Sequence, residues 1–347
     1  MTGMQSLVHG MLLMLISGWM LYIGRDVLIP VAFGILVVYV ILGLAQGLRR
    51  IPVVGRLLPI QLCYLLSMAI IVSTVAGLTY LLIASRDSVV ALGPQYQKSL
   101  LAFIQQGAVL LRIETEPTWA TLRADILARI NLQRVLGSMV VSVSSIAASV
   151  VVVLLYAVFL LIEQRTFFTK IGHLSDDPQT TDRIRAVSRD INQRVGSYLA
   201  LKAFISLLQG AICWAIMAAF GLEFAAFWAA LITLLNFVPY IGSVLGVVLP
   251  LAMAIVQFEN PHTILWLLLA LTVVQFAIGN FLDPYLMGNS LNLSPFAILV
   301  SLAVWSELWG IPGAFLAVPI TAVMAIVFSS FSSTRPIAVL LSRNGSL

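Results

Sequence analysis

The sequence predicts an all-α polytopic membrane protein. It carries about five to six full spans, two broken or re-entrant helical hairpins in an inverted repeat, and surface amphipathic helices. Three observations predict this. Hydrophobic residues make up 61% of the 347 and charged residues 10%, against roughly 45–50% apolar in soluble domains, and the mean hydropathy is +1.04. Between Lys202 and Arg335 there is no Lys or Arg, whereas a solvated surface carries both signs of charge. A bilayer accounts for the gap, because a charge at its centre costs about 2.5–3.5 kcal/mol on insertion scales. Finally, two long apolar runs in the C-terminal half are interrupted by Pro/Gly clusters.

In the N-terminal half, residues 7–24, 27–48, 60–84 and 139–162 have the length and composition of full spans. The 7–24 run is read as a retained span, not a cleaved leader, because Arg25-Asp26 leads directly into another apolar run. Arg49, Arg50 and Arg56 sit in an acid-free loop and mark the cytoplasmic side. Both termini are then cytoplasmic, in a multi-pass protein of the cell inner membrane. Residues 85–138 are external, with Val89, Leu92, Tyr96, Leu100, Phe103 and Ile104, then Trp119, Leu122, Ile126 and Ile130, near helical spacing. They read as two amphipathic helices on the membrane surface or against neighbouring subunits, or as a capping subdomain. In the cytoplasmic segment, Ile184, Val187, Ile191 and Val195 form one helical face and Arg183, Arg185, Arg189 and Arg194 much of the rest, a solvated face or a gate.

Residues 196–220 form a further span. The apolar run 224–258 is too long for one span at 1.5 Å per residue and too short for two. It breaks at Asn236-Phe237-Val238-Pro239-Tyr240-Ile241-Gly242-Ser243. Residues 262–282 span again, and the run 295–330 breaks at Trp309-Gly310-Ile311-Pro312-Gly313. Span plus hairpin, twice and in opposite senses, is the inverted repeat from which secondary transporters build midplane sites; kinked, tilted spans are the alternative. Pro239, Gly242, Ser243, Gly310, Pro312 and Gly313 are the expected hairpin tips. The organisation is three N-terminal spans (1–84), the external helices (85–138), a fourth span with the cytoplasmic segment (139–195), a transport core (196–334) and a cytoplasmic tail (335–347).

The candidate chemistry lies with polar residues inside this core. Asp283 precedes Pro284, and Asn280 lies three residues earlier; together they suit a cation or a proton, or Asp283 ends a helix at the interface. Glu307 adjoins the second break and Asn236 opens the first. Lys202 snorkels to the cytoplasmic surface or neutralises an acid in the core. Glu223 and Glu259 read as interfacial. Cys63 and Cys213 read as reduced packing residues. Enzyme signatures are missing: no phosphate-binding Gly-rich loop, no His-Glu-x-x-His, and three scattered histidines, so no catalytic residue, metal or cofactor is expected.

At these same motifs the sequence resembles the autoinducer-2 exporter family, also called PerM-like permeases. The resemblance rests on Tyr198-Leu199-Ala200-Leu201-Lys202, Phe237-Val238-Pro239-Tyr240-Ile241-Gly242-Ser243, Asn280-Phe281-Leu282-Asp283-Pro284 with Gly288, Leu293-Ser294-Pro295, and Trp309-Gly310-Ile311-Pro312-Gly313 through Pro319. It implies a membrane transporter and a homo-oligomer, a pentamer among the options. The expected partners are the lipid bilayer and either a small polar solute such as autoinducer-2, exported on an ion gradient, or sodium or lithium exchanged for protons. Two positions depart from the family pattern: Val238 stands where Ile is usual, and Pro312 where many members carry other residues. A passive channel and a non-transporting scaffold are the remaining alternatives.

Overall fold

The computed structural model describes residues 3–50, 58–84, 149–163, 166, 170, 177–258, 260–287 and 291–345. Residues 85–138, expected to be external, Arg56, the start of the expected fourth span, Glu259 and Gly288 lie outside the described residues. The described elements are α1 (Gly3–Ile23), α2 (Arg25–Arg50), α3 (Ile60–Ala84), α4 (Ser149–Glu163), α5 (Pro178–Ala219), α6 (Ala225–Leu235), α7 (Ile241–Gln257) and α8 (Pro261–Ala277). A π turn (Ile278–Leu282) follows, then α9 (Asp283–Met287), α10 (Pro295–Ser329) and α11 (Arg335–Leu341). Five described helices are long and apolar enough to cross a membrane, as a polytopic membrane protein requires.

Two compact units divide the chain, one holding residues 1–69, 149–201 and 287–347, the other 70–148 and 202–286. In the first, Gly24 alone separates α1 from α2, and Arg25 stacks 4.9 Å from the Tyr22 ring centroid. Helix α2 packs through glycines, since lipid-solvated helices gain more from close backbone approach than from apolar burial. A Cβ at Gly34 would stand 2.9 Å from that of Tyr156 on α4, and one at Gly43 would stand 2.6 Å from that of Ala200 on α5. Helix α5 is a single helix of 42 residues, about 60 Å long. Its N-terminus is capped by Asp177, which accepts from the amides of Gln179 and Thr180 and from the Thr180 hydroxyl. Its amphipathic start follows the predicted pattern: Ile184, Val187 and Ile191 are half-buried, Val195 is buried, and Arg183, Arg185, Arg189 and Arg194 are exposed. Helix α11 closes on the start of α10 through Ser294 N–H to the Leu341 carbonyl (2.9 Å) and Arg343 N–H to that of Asn292 (3.0 Å).

Helix α10 is two helical arms joined at Gly310, whose φ of 66° and ψ of −143° suit glycine alone. The chain doubles back there: a Cβ at Gly313 would lie 1.8 Å from the Trp305 carbonyl oxygen, whereas eight residues of straight helix would separate the two by about 12 Å. The Trp309 indole N–H donates to the Leu21 carbonyl (2.9 Å) in the last turn of α1, where a helix leaves carbonyls without internal partners.

In the second unit, Cys213, Met217, Phe227, Trp228, Ile232, Met253, Leu267 and Leu271 form one buried cluster from α5, α6, α7 and α8. Cys213, like Cys63 in the other unit, is free and buried, in keeping with the packing role expected. The predicted break at 236–243 is present: α6 ends at Leu235 and α7 begins at Ile241. It too is a tight reversal, with a Cβ at Gly242 only 1.9 Å from the Leu235 carbonyl oxygen. At its apex Tyr240 has φ 62° and ψ −53°, and the Ile241 amide donates to the Pro239 carbonyl (2.7 Å). That is a γ-turn of the strained kind, rare for a residue with a side chain. At the other end Gln257 bridges back to the turn before α6, donating to the Gly221 carbonyl and accepting from the Glu223 amide.

Candidate transport site

Lys202 and Asp283 meet in the second unit. Lys202 Nζ lies 3.0 Å from Asp283 Oδ2, with side-chain exposures of 10% and 22%. An apolar stretch of α5 positions the lysine, and the widened turn after α8 positions the aspartate. The ammonium also reaches Asn236 Oδ1 at 3.5 Å, and Asn236 Nδ2 donates to the Ser206 hydroxyl at 3.0 Å. One residue from the first break is thereby joined to the cation of the pair. The second carboxylate oxygen, Asp283 Oδ1, is buried with no hydrogen-bond partner. It is a buried acceptor on the carboxylate whose other oxygen meets the ammonium.

Of the two sequence readings of Lys202, the structure favours the core one: the side chain is buried and paired, not extended to a surface. A mainly apolar helix can bury an ammonium only where a carboxylate offsets its desolvation. Asn236 joins the pair. Asn280 does not: it is exposed, and its amide donates to the Phe276 carbonyl at 3.1 Å. The reason is the π turn, whose i→i−5 bonding places residues three apart on different faces. Glu307 is exposed on the first arm of α10, and no hydrogen bond or ion pair joins its carboxylate to another described residue. Among the tip residues, Gly242 and Gly313 are buried at the reversals, Pro239 and Pro312 are half-buried, and Ser243 and Gly310 are exposed. Glu223 is exposed in the turn before α6.

Sequence reasoning missed a second polar contact. Gln209 Nε2 donates to Gln275 Oε1 at 2.6 Å, and Gln209, 1% exposed, keeps its own Oε1 buried without a partner. Room for Gln275 comes from Gly246, where a Cβ would fall 2.7 Å from its Nε2. A signal existed: Lys202, Ser206 and Gln209 stand at i, i+4 and i+7, one face of an otherwise apolar helix. Chemically, the seam can hold a hydrogen-bond donor or a cation at Asp283 and can exchange partners on that carboxylate. Among the described residues no group of three or more His, Cys, Asp or Glu is placed to hold a metal ion.

The family model for AI-2E family transporters matches residues 10–333. The AI-2 transport protein TqsA of Escherichia coli (strain K12) is 29% identical over 336 residues, 96% of this chain and 94% of that protein. YhhT of the same organism is 30% identical over 271 residues, 76% of this chain and 75% of its own length. A relative from Borreliella burgdorferi is 34% identical over 195 residues, and there the match spans 56% of this chain and about half (54%) of the relative. With the family model covering nearly the whole chain, and with helices of membrane-spanning length beside a part-buried ion pair, the chain belongs to the AI-2E transporter family.

Proposed function

We propose that this protein is a secondary transporter of the cell inner membrane, exporting a small polar solute of the autoinducer-2 kind on an ion gradient. The observation that carries the reading is the Lys202–Asp283 pair at 3.0 Å, bordered by Asn236 of a helix break. An ion pair taken this far out of water is a costly way to stabilise a fold, since apolar residues of similar volume do as well or better. Its value is that a proton or a cation can replace the ammonium as the partner of Asp283. When it does, Lys202 loses its counter-charge and the seam between the helices changes energy, which is what coupling requires. The vacant acceptor on Asp283 favours, as a second reading, exchange of sodium or lithium for protons at this same carboxylate.

The two helix reversals serve this function as re-entrant hairpins of an inverted repeat, where irregular backbone is tolerable beside a water-filled path. Asn236 lies on the first, and Glu307 near the second is a further carboxylate for the cycle. The protein works as a homo-oligomer with both termini in the cytoplasm. Purified protein in proteoliposomes, with sodium, lithium or proton gradients imposed, tests the reading. Asp283→Asn should abolish gradient-driven flux without lowering the amount of protein in the membrane. Glu307→Gln should weaken flux, and Glu223→Gln should leave it near the parent rate. Parent-rate transport by Asp283→Asn across pH 6 to 9 removes the coupling role of this carboxylate.

A further inference from the structure

Helix α5 meets the stretch from α8 to α9 at two polar contacts, Gln209–Gln275 on α8 and Lys202–Asp283 at the start of α9, and the spacing of these contacts differs by one residue between the two sides. Seven positions separate Lys202 from Gln209, but eight separate Gln275 from Asp283. At about 100° per residue, seven positions of α-helix fall roughly 20° short of two full turns, so Lys202 and Gln209 share a face. Eight positions of regular helix would overshoot two turns by about 80° and turn Asp283 away from Gln275. The π turn at Ile278–Leu282 absorbs the extra residue. The Asp283 amide itself makes the i→i−5 bond, to the Ile278 carbonyl. Phe276 and Phe281, five apart, meet edge to face with ring centroids 5.9 Å apart.

We infer that this single-residue π insertion is the moving part of the site, a hinge that carries Asp283 to and from Lys202 while Gln275 stays on Gln209. The inference rests on the transport reading above. With the extra residue present, the segment has two hydrogen-bonded forms. In the π form Asp283 faces Lys202. In the regular α form the residues after the turn rotate by about 100° and advance by about 1.5 Å, so Asp283 leaves α5. The Lys202 charge holds the first form, and neutralising Asp283 releases it. Gln209–Gln275, neutral and part-buried, is the fixed point beside the hinge. Gly279, inside the turn, has no neighbour within 4 Å of where a Cβ would stand, so at that position the turn has room to change.

Deleting Gly279 tests this sharply. In the shortened chain Asp283 follows Gln275 by seven positions, so a regular helix keeps it facing Lys202 but offers no second form. The full-length protein, with Cys63→Ala and Cys213→Ala, is spin-labelled at Leu269→Cys and Tyr285→Cys, both exposed positions either side of the turn. Two label distances are expected in the parent, a larger share of the minor one with Asp283→Asn, and a single distance in the deletion variant. In unlabelled protein the deletion should reduce gradient-driven flux at least tenfold, while Lys202→Cys with Asp283→Cys still reacts with a short bifunctional thiol crosslinker. A single label distance in both the parent and Asp283→Asn overturns the hinge. Transport by the deletion variant at the parent rate, or loss of its crosslink, overturns it equally, making the turn a passive spacer or the register wrong. Two distances in a parent chain without gradient-driven flux would keep the hinge and sink the transport reading instead.

Discussion

Gly242 stands against Leu235 so closely that a methyl on its Cα would lie 1.9 Å from the Leu235 carbonyl oxygen. Gly313 repeats the relationship with Trp305, at 1.8 Å. In both places the second helix of a reversal begins in contact with the last turn of the first, and only a hydrogen side chain fits. Backbone, unlike the end of a flexible side chain, cannot step aside at small cost.

Gly242→Ala and Gly313→Ala should therefore each open a reversal and destabilise the protein by at least about 1–3 kcal/mol, the usual cost of overpacking. Gly47→Ala should be neutral, because nothing lies within 4 Å of its Cβ position. Thermal unfolding in detergent, followed by loss of the monodisperse species, checks all three. Equal melting temperatures for Gly242→Ala and Gly47→Ala would contradict the close approach.

Breaking the ion pair from one side should harm the protein more than removing both charges. Lys202→Met leaves Asp283 partly buried without its cation, a situation that costs about 3–5 kcal/mol where both groups are fully buried and less at these exposures. Lys202→Met with Asp283→Asn leaves no orphan charge and should recover most of the loss. A double-mutant cycle on detergent stability reads the coupling; additive single and double effects would mean the two side chains do not interact.

Acidification should loosen the start of α5. The Thr180 hydroxyl, and after it the Gln179 amide, hold the Asp177 carboxyl below its ordinary value of 3.8. A carboxyl whose folded value is depressed stabilises the folded state above the unfolded value, and that contribution is lost as pH falls through the folded one. The protection of the Gln179 and Thr180 amides, taken relative to the intrinsic exchange rate at each pH, should fall below pH 3.8, and Asp177→Ala should show the faster exchange already at neutral pH. Unchanged exchange in Asp177→Ala would remove the cap.

Orientation is testable at two described positions expected on opposite sides. In a background lacking Cys63 and Cys213, Asp26→Cys should react with an impermeant thiol reagent added outside cells, and Arg343→Cys only after the membrane is opened. Labelling of Arg343→Cys from outside would reverse the proposed topology and with it the sense of the inverted repeat.

Much of this molecule was legible in its residues, because a bilayer punishes charge and exposed backbone so heavily that spans and breaks announce themselves. The basic-free stretch after Lys202 marked the membrane core, and Pro239, Gly242, Gly310 and Gly313 marked the two places where helices end. Asp283 and Lys202 stood out as charges where charge is expensive. Their pairing was not legible, because it joins residues 81 positions apart through the register of two helices. Gln209 and Gln275 escaped notice because a neutral amide in an apolar run is cheap enough to need no explanation until its partner is seen. Asn280 was placed on the face of Asp283 by counting residues on a regular helix, and a turn with one residue more moved it off. That insertion is a choice between two hydrogen-bond patterns, and counting residues along the sequence does not reveal which one the chain takes.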